Sequence, residues 1–183
     1  MRVFITVLVL IFSFQSWAKA DDIRDFQIEG MSVGDSALDY FSEEEISNAI
    51  DDSDKDKIFI VKTLISKNSD PYESLQLSYN KSSQKKILHG VTGVVFFDIK
   101  KCKKEMKKIV SELSLLFPNT KKQDWGKYKM HNNEGFYYPV TFDFKDSSRV
   151  QVSCYDWKKD IQNNSLKVSL YSSEYTTYLK NKN

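Results

Sequence analysis

Residues 87–117 read ILHGVTGVVFFDIKKCKKEMKKIVSELSLLF, and Pro118 follows. The first part, Ile87 to Ile99, is rich in β-branched and aromatic residues, with Gly90 and Gly93 as places where a strand bulges or bends. From Cys102 the apolar period changes. Cys102, Met106, Ile109, Val110, Leu113, Leu116 and Phe117 recur at helical spacing, and Pro118-Asn119 ends the run. Lysines fill the other positions, so this helix has one side for a core and one for water. A strand that runs into an amphipathic helix needs a sheet for that helix to dock on, and the flanking sequence decides whether one exists.

It supplies one on both sides. Upstream, Ile58 to Ile65 is a β-branched run, and Leu75, Leu77 and Tyr79 alternate with polar residues. With Ile87 to Ile99 they form an antiparallel meander. Downstream, Trp125 to Met130 and Phe136 to Phe144 flank a loop of hairpin composition; Val150, Val152 and Cys154, then Leu166, Val168 and Leu170, alternate again. Ser42 with Glu45 makes a capping box for a short helix through Ile46 and Ile50, and Asp35 or Ser36 caps another before it. The tail after Ser172 is either a short helix or a frayed end. The expected fold is α+β: an antiparallel sheet of about six or seven strands covered by one long helix, with short N-terminal helices. The order strand, strand, strand, helix, then more strands is a loose structural duplication without sequence repeat. No Pro-, Gly- or Ser-rich linker divides residues 21–183, which are read as a single domain.

Residues 1–20 read as a secretory signal peptide. Arg2 is positive, Val3 to Phe14 is nearly all apolar, and Ala18-Lys19-Ala20 sets small residues where a signal peptidase cuts. Gln15, Ser16 and Lys19 interrupt the run, against the rival reading of an uncleaved anchor. No later run is apolar enough to cross a bilayer, so no integral span is expected after cleavage. A periplasmic or secreted destination follows. Asp21 to Asp56 carries thirteen acidic residues against Arg24 and Lys55, while Lys57 to Asn183 carries 23 basic against 12 acidic. The two segments cancel, which argues against nucleic acid as a partner.

The chain has two cysteines. Cys102 lies on the apolar stripe of the helix and Cys154 on the inward side of its strand, so helix-on-sheet packing brings them together in an oxidising compartment. A Cys102–Cys154 disulfide is expected, worth about 4 kcal/mol in the chain-entropy treatment. Two cysteines and two histidines are too few for a zinc cluster or iron–sulfur centre, and no cofactor is expected.

Four other constellations bear on function. Gly34-Asp35-Ser36-Ala37-Leu38 resembles the G-D-S-L opening of an esterase and lipase family in which the serine is the nucleophile, which implies Ser36 in that role. That mechanism needs a histidine base, and no Asp-x-x-His matches the family's, so the hydrolase is the alternative and helix capping the leading account of Ser36. Asp52-Ser53-Asp54-Lys55-Asp56 has the alternating oxygens of a calcium loop, with Asp52, Asp54 and Asp56 as ligands, but lacks the glycine and the glutamate that complete an EF-hand. His131 with Glu134 makes two ligands where zinc wants three or four. Lys100, Lys103, Lys104 and Lys107, with Trp125 and Tyr128 beyond the helix, form a basic and aromatic surface for an anionic envelope component or an acidic protein face.

The stretch DFQIEGMSVGDSALDYFSEEEI, Asp25 to Ile46, has the pattern G-M-S-x-G-D-S-x-L at its centre. With Cys102 and Cys154 it resembles a group of uncharacterised short exported proteins of marine bacteria, which implies export. Gly30-Met31-Ser32 and the helix-then-meander order are also similar to the small outer-membrane assembly lipoproteins related to BamE, which bind partners. The resulting expectation is an exported, non-catalytic binding or interaction protein of unknown partner.

Overall fold

The computed structural model describes residues 22–53, 58–67, 71–130, 133–158 and 162–182. The signal-peptide expectation, Asp54 and Asp56 of the calcium loop, and His131 all lie outside the described residues.

Among the described residues nine antiparallel strands form one sheet: β1 Ile50–Asp51, β2 Phe59–Ile65, β3 Ser74–Asn80, β4 Leu88–Phe96, β5 Lys121–Asp124, β6 Tyr128–Lys129, β7 Gly135–Asp143, β8 Arg149–Trp157 and β9 Ser165–Tyr171. They run in the order β1-β2-β3-β4-β9-β8-β7-β5, with β6 also paired to β7. The described residues also form the α-helices α1 Glu43–Asn48, α2 Ile99–Leu116 and α3 Ser173–Lys182, with 3-10 turns at Ile23–Asp25 and Ala37–Asp39. β2-β3-β4-α2 and β7-β8-β9-α3 are each a meander followed by a helix, and β4 pairs with β9 at the centre. The order repeats but the packing does not, because α2 and α3 lie on opposite faces of the sheet.

Strand alternation assigns the faces. Val150, Val152 and Cys154 of β8 stand opposite Leu170, Val168 and Leu166 of β9, and these continue through Val91 to Leu77 and Leu75. All are at most 4% exposed and make up the core face. The disulfide joins Cys102 of α2 to Cys154 of β8, with Cα atoms 5.9 Å apart, and both residues are fully buried.

The sheet is not covered by one long helix, and it has nine strands where six or seven were expected. Helix α2 packs on β8 and β9. The physical reason is width: a helix about 10 Å thick spans about two strands spaced about 4.8 Å apart. The rest of the core face is closed by the chain before β1. Ile23, Phe26, Ile28, Met31, Val33, Ala37, Phe41 and Ile46 join the same buried cluster, and the Phe26 ring meets Phe117 edge-on at 5.7 Å. The extra strands β1 and β5 are short, exposed and mostly polar, so sequence periodicity does not announce them, while β6 is what remains of the expected Trp125 to Met130 hairpin arm. Backbone pairing with β2 and β7 makes them strands.

A bulge shifts the β3–β4 register at Ser78 and Tyr79. At Gly90 a Cβ would lie 3.0 Å from the Ser78 Cβ and 3.1 Å from the Tyr175 ring, so the bare backbone lets α3 approach β4. At Gly93, on the core face, a Cβ would lie 2.3 Å from the ring of buried Tyr72.

Candidate functional site

The second face of the sheet differs in chemistry. Its residues on β4, β7, β8 and β9 include Thr92, Thr141, Ser153, Ser165 and Ser169, each at most 5% exposed. Thr92 donates to the Ser169 hydroxyl at 2.9 Å, Gln151 to that of Ser153 at 3.0 Å, and the Trp125 indole to that of Thr141 at 3.1 Å. A layer of hydroxyls satisfied within the sheet presents no apolar surface for a second sheet to bury. Helix α3 packs on β4 at one corner, where Phe59 meets the rings of Tyr175 and Tyr178. Among the described residues, no helix packs on this face over β7 and β8.

An aromatic row crosses that uncovered part. Tyr128 of β6 stands opposite Tyr137 of β7, which stands opposite Tyr155 of β8. Ring centroids are 5.6 and 5.7 Å apart, and Trp157 continues the row along β8 at 6.0 Å from Tyr155. Trp125 meets Tyr128 edge-on at 6.2 Å. Trp125 and Tyr128 are 38% and 41% exposed, so the row is wet at its outer end. Burial raises the phenols of Tyr137 and Tyr155 above the ordinary range. The Trp157 indole N–H is buried and meets no acceptor among the described residues.

Lys167 rises from β9 beside this row. Its Nζ donates to Gln76 Oε1 at 3.0 Å and lies 4.8 Å from the Tyr155 ring centre. Burial lowers its pKa, an effect that the Asp52 carboxylate opposes. Asp52 is one amide away: it accepts from Thr63 Oγ1 and, at 3.4 Å, from Gln76 Nε2. Lys167 makes no ion pair among the described residues.

The basic and aromatic residues singled out in the sequence fall on two surfaces. On α2, the Lys103 Nζ sits 3.7 Å from the Tyr138 ring centre, and Tyr138 belongs to the core face. Lys100, Lys104 and Lys107 are exposed beside it. Trp125 and Tyr128 face the other side of the sheet, with Thr141 and Tyr137. The sequence reading missed Lys167, Tyr137, Tyr155 and Trp157. The available signal was the strand register: with Val150, Val152 and Cys154 inward, Tyr155 and Trp157 must face outward, an unusual place for two large aromatics.

Ser36 is built as a cap. Its hydroxyl donates to the Lys85 carbonyl at 2.7 Å and accepts from the Leu38 N–H at 3.2 Å. Asp35 accepts from the Ser32 N–H at 2.8 Å and the Tyr40 hydroxyl at 2.9 Å. The turn is held to β4 by the Gly34 N–H on the Leu88 carbonyl and the Leu88 N–H on the Asp35 carbonyl, both 2.8 Å.

His89 lines a cleft of about 230 Å³ at the end of the sheet. Its Nδ1 lies 3.1 Å from Ser172 Oγ and 3.5 Å from Glu174 Oε2. A proton relay needs nucleophile and acid on opposite ring nitrogens, and here both use one. The Ser172 hydroxyl also accepts from the Tyr175 N–H at 3.2 Å, as a helix cap does. No group of three or more His, Cys, Asp or Glu residues placed to hold a metal ion occurs among the described residues. Nor is any described helix long and apolar enough to cross a membrane. Compared with known proteins, the chain matches no family model, no curated protein and no solved structure.

Proposed function

We propose that this chain is an exported, non-catalytic binding protein that holds an extended cell-envelope ligand against the aromatic face of its sheet. The observation that carries the reading is the row Tyr128, Tyr137, Tyr155 and Trp157, set beside Lys167 on the face of β7 and β8 opposite α2, where no described helix packs. Tyrosine and tryptophan combine a large apolar body with a polar tip, so such a row binds a ligand that has both flat apolar faces and hydrogen-bonding edges. The strands are rigid and the disulfide ties α2 behind them, so the surface is preorganised and binding costs little ordering. Export is supported by the leader-like Met1–Ala20 segment and by the Cys102–Cys154 bridge, which is compatible with an oxidising compartment.

Trp125 and Trp157, the two tryptophans outside Met1–Ala20, both belong to this face and report on it. Envelope fractions separated into polysaccharide, lipid and protein are titrated against the exported protein while tryptophan emission is followed. One fraction is expected to shift the emission, and Tyr137→Ala with Tyr155→Ala is expected to abolish the effect. If that double variant binds as the parent does while Lys104→Glu with Lys107→Glu does not, the ligand lies on α2 and the proposal falls.

A further inference from the structure

Lys167 is a cation near the middle of a nine-stranded sheet, with Ser153 of β8 and Val94 of β4 as its cross-strand neighbours. Among the described residues its ammonium has one hydrogen-bond acceptor, the Gln76 side-chain oxygen, which leaves donors unused. The other cation on the β8 and β9 part of this face, Arg149, is already paired with Asp143 at 2.6 Å. A cation without an ion pair among the described residues, with Asp52 one amide beyond it, thus stands in a hydroxyl-rich surface over the ring of Tyr155, and the Trp157 N–H of the same row has no acceptor among the described residues. A partly desolvated ammonium and a buried N–H without acceptors are both costly unless a ligand completes them.

We infer that the ligand is an acidic glycan, a sugar chain bearing carboxylates, with a ring lying on the Tyr137–Tyr155–Trp157 row and its carboxylate on Lys167. This rests on the reading of the aromatic face as the binding surface. The chemistry selects the class. A sugar ring offers a C–H face to an aromatic ring and hydroxyls to the phenol tips beside it. A single cation suits one negative charge per bound unit, whereas nucleic acid or an anionic bilayer calls for several lysines or arginines together.

The test is calorimetric titration of the exported protein with uronate oligosaccharides, galacturonate and mannuronate series, against the same oligosaccharides with their carboxylates methyl-esterified. The acids are expected to bind at least about tenfold more tightly than the esters, because an ester forfeits the charge-assisted bond. Raising the salt concentration is expected to narrow the gap. Lys167→Gln is expected to erase the preference and Lys167→Arg to keep it. Equal binding of acid and ester, or a preference that survives Lys167→Gln, overturns the inference while leaving the aromatic face as the site. Binding that is unchanged in Tyr155→Ala, or absent for every oligosaccharide, overturns it as well. If an envelope protein fraction then shifts tryptophan emission in the parent but not in the Tyr137→Ala, Tyr155→Ala variant, the face keeps its role with a protein partner.

Discussion

Removing the Cys102–Cys154 bridge is expected to cost a third or more of the stability of the fold while leaving the aromatic face intact. The bridge closes a loop over a sequence separation of 52 residues. In the chain-entropy treatment a loop of that size contributes about 4 kcal/mol at 25 °C. Both side chains are 0% exposed, so the double variant Cys102→Ala, Cys154→Ala also loses two sulfur atoms from the packed core, adding about 1 kcal/mol. A total near 5 kcal/mol compares with about 5–15 kcal/mol for a whole domain. With a urea dependence of about 2 kcal/mol per molar, the unfolding midpoint is expected to fall by roughly 2.5 M. The assay is urea unfolding of parent and variant, followed by far-ultraviolet circular dichroism. Tryptophan emission in the folded variant should match the parent, because Trp125 and Trp157 lie on the face opposite the bridge. A midpoint change below about 0.5 M would refute the reasoning, as would two titratable thiols in denatured, unreduced parent protein.

Gly93→Ala drives a methyl group into the ring of Tyr72 and is expected to destabilise by about 1–3 kcal/mol; urea unfolding of Tyr72→Ala, Gly93→Ala should recover part of that loss if the clash is its cause. Glu45 is held at a pKa of about 2 by Lys67 and by the Ser42 capping box, below its ordinary value of 4.5. A carboxylate depressed in this way stabilises above the ordinary value and loses that contribution as pH falls through 4.5 toward 2, so Glu45→Gln should flatten the stability profile there, read as urea midpoints at pH 3 and pH 7. Ser36→Ala should lower stability by about 1 kcal/mol as a lost cap, and a fluorophosphonate probe should leave the parent protein unlabelled; labelling at Ser36 would revive a hydrolase.

Much of the local structure was legible along the chain. The Ser42–Glu45 box is present in α1, with Ser42 N–H on Glu45 at 2.7 Å and Glu45 N–H on Ser42 at 3.2 Å. The stripe from Cys102 to Phe117 became α2, while the tail after Ser172, which the sequence left open between a helix and a frayed end, is a helix. Short edge strands such as Lys121–Asp124 were not legible, because their pairing comes from a neighbour's backbone and leaves no periodicity in their own side chains. Nor was the part that Phe26 and Met31 play in closing the core face, because they lie in no periodic run.

Periodicity, capping and cysteine placement are properties of neighbouring residues, so this sequence could declare by itself its longer strands, its principal helix and the pair of sulfurs to be joined. The candidate site is of another kind. Gln76, Tyr137, Tyr155 and Lys167 lie on four strands, and their meeting depends on β9 inserting between β4 and β8, a pairing across more than seventy residues of chain. Only the register of the folded sheet determines which side chains share a face, and so only the tertiary structure could set one lysine against that aromatic row.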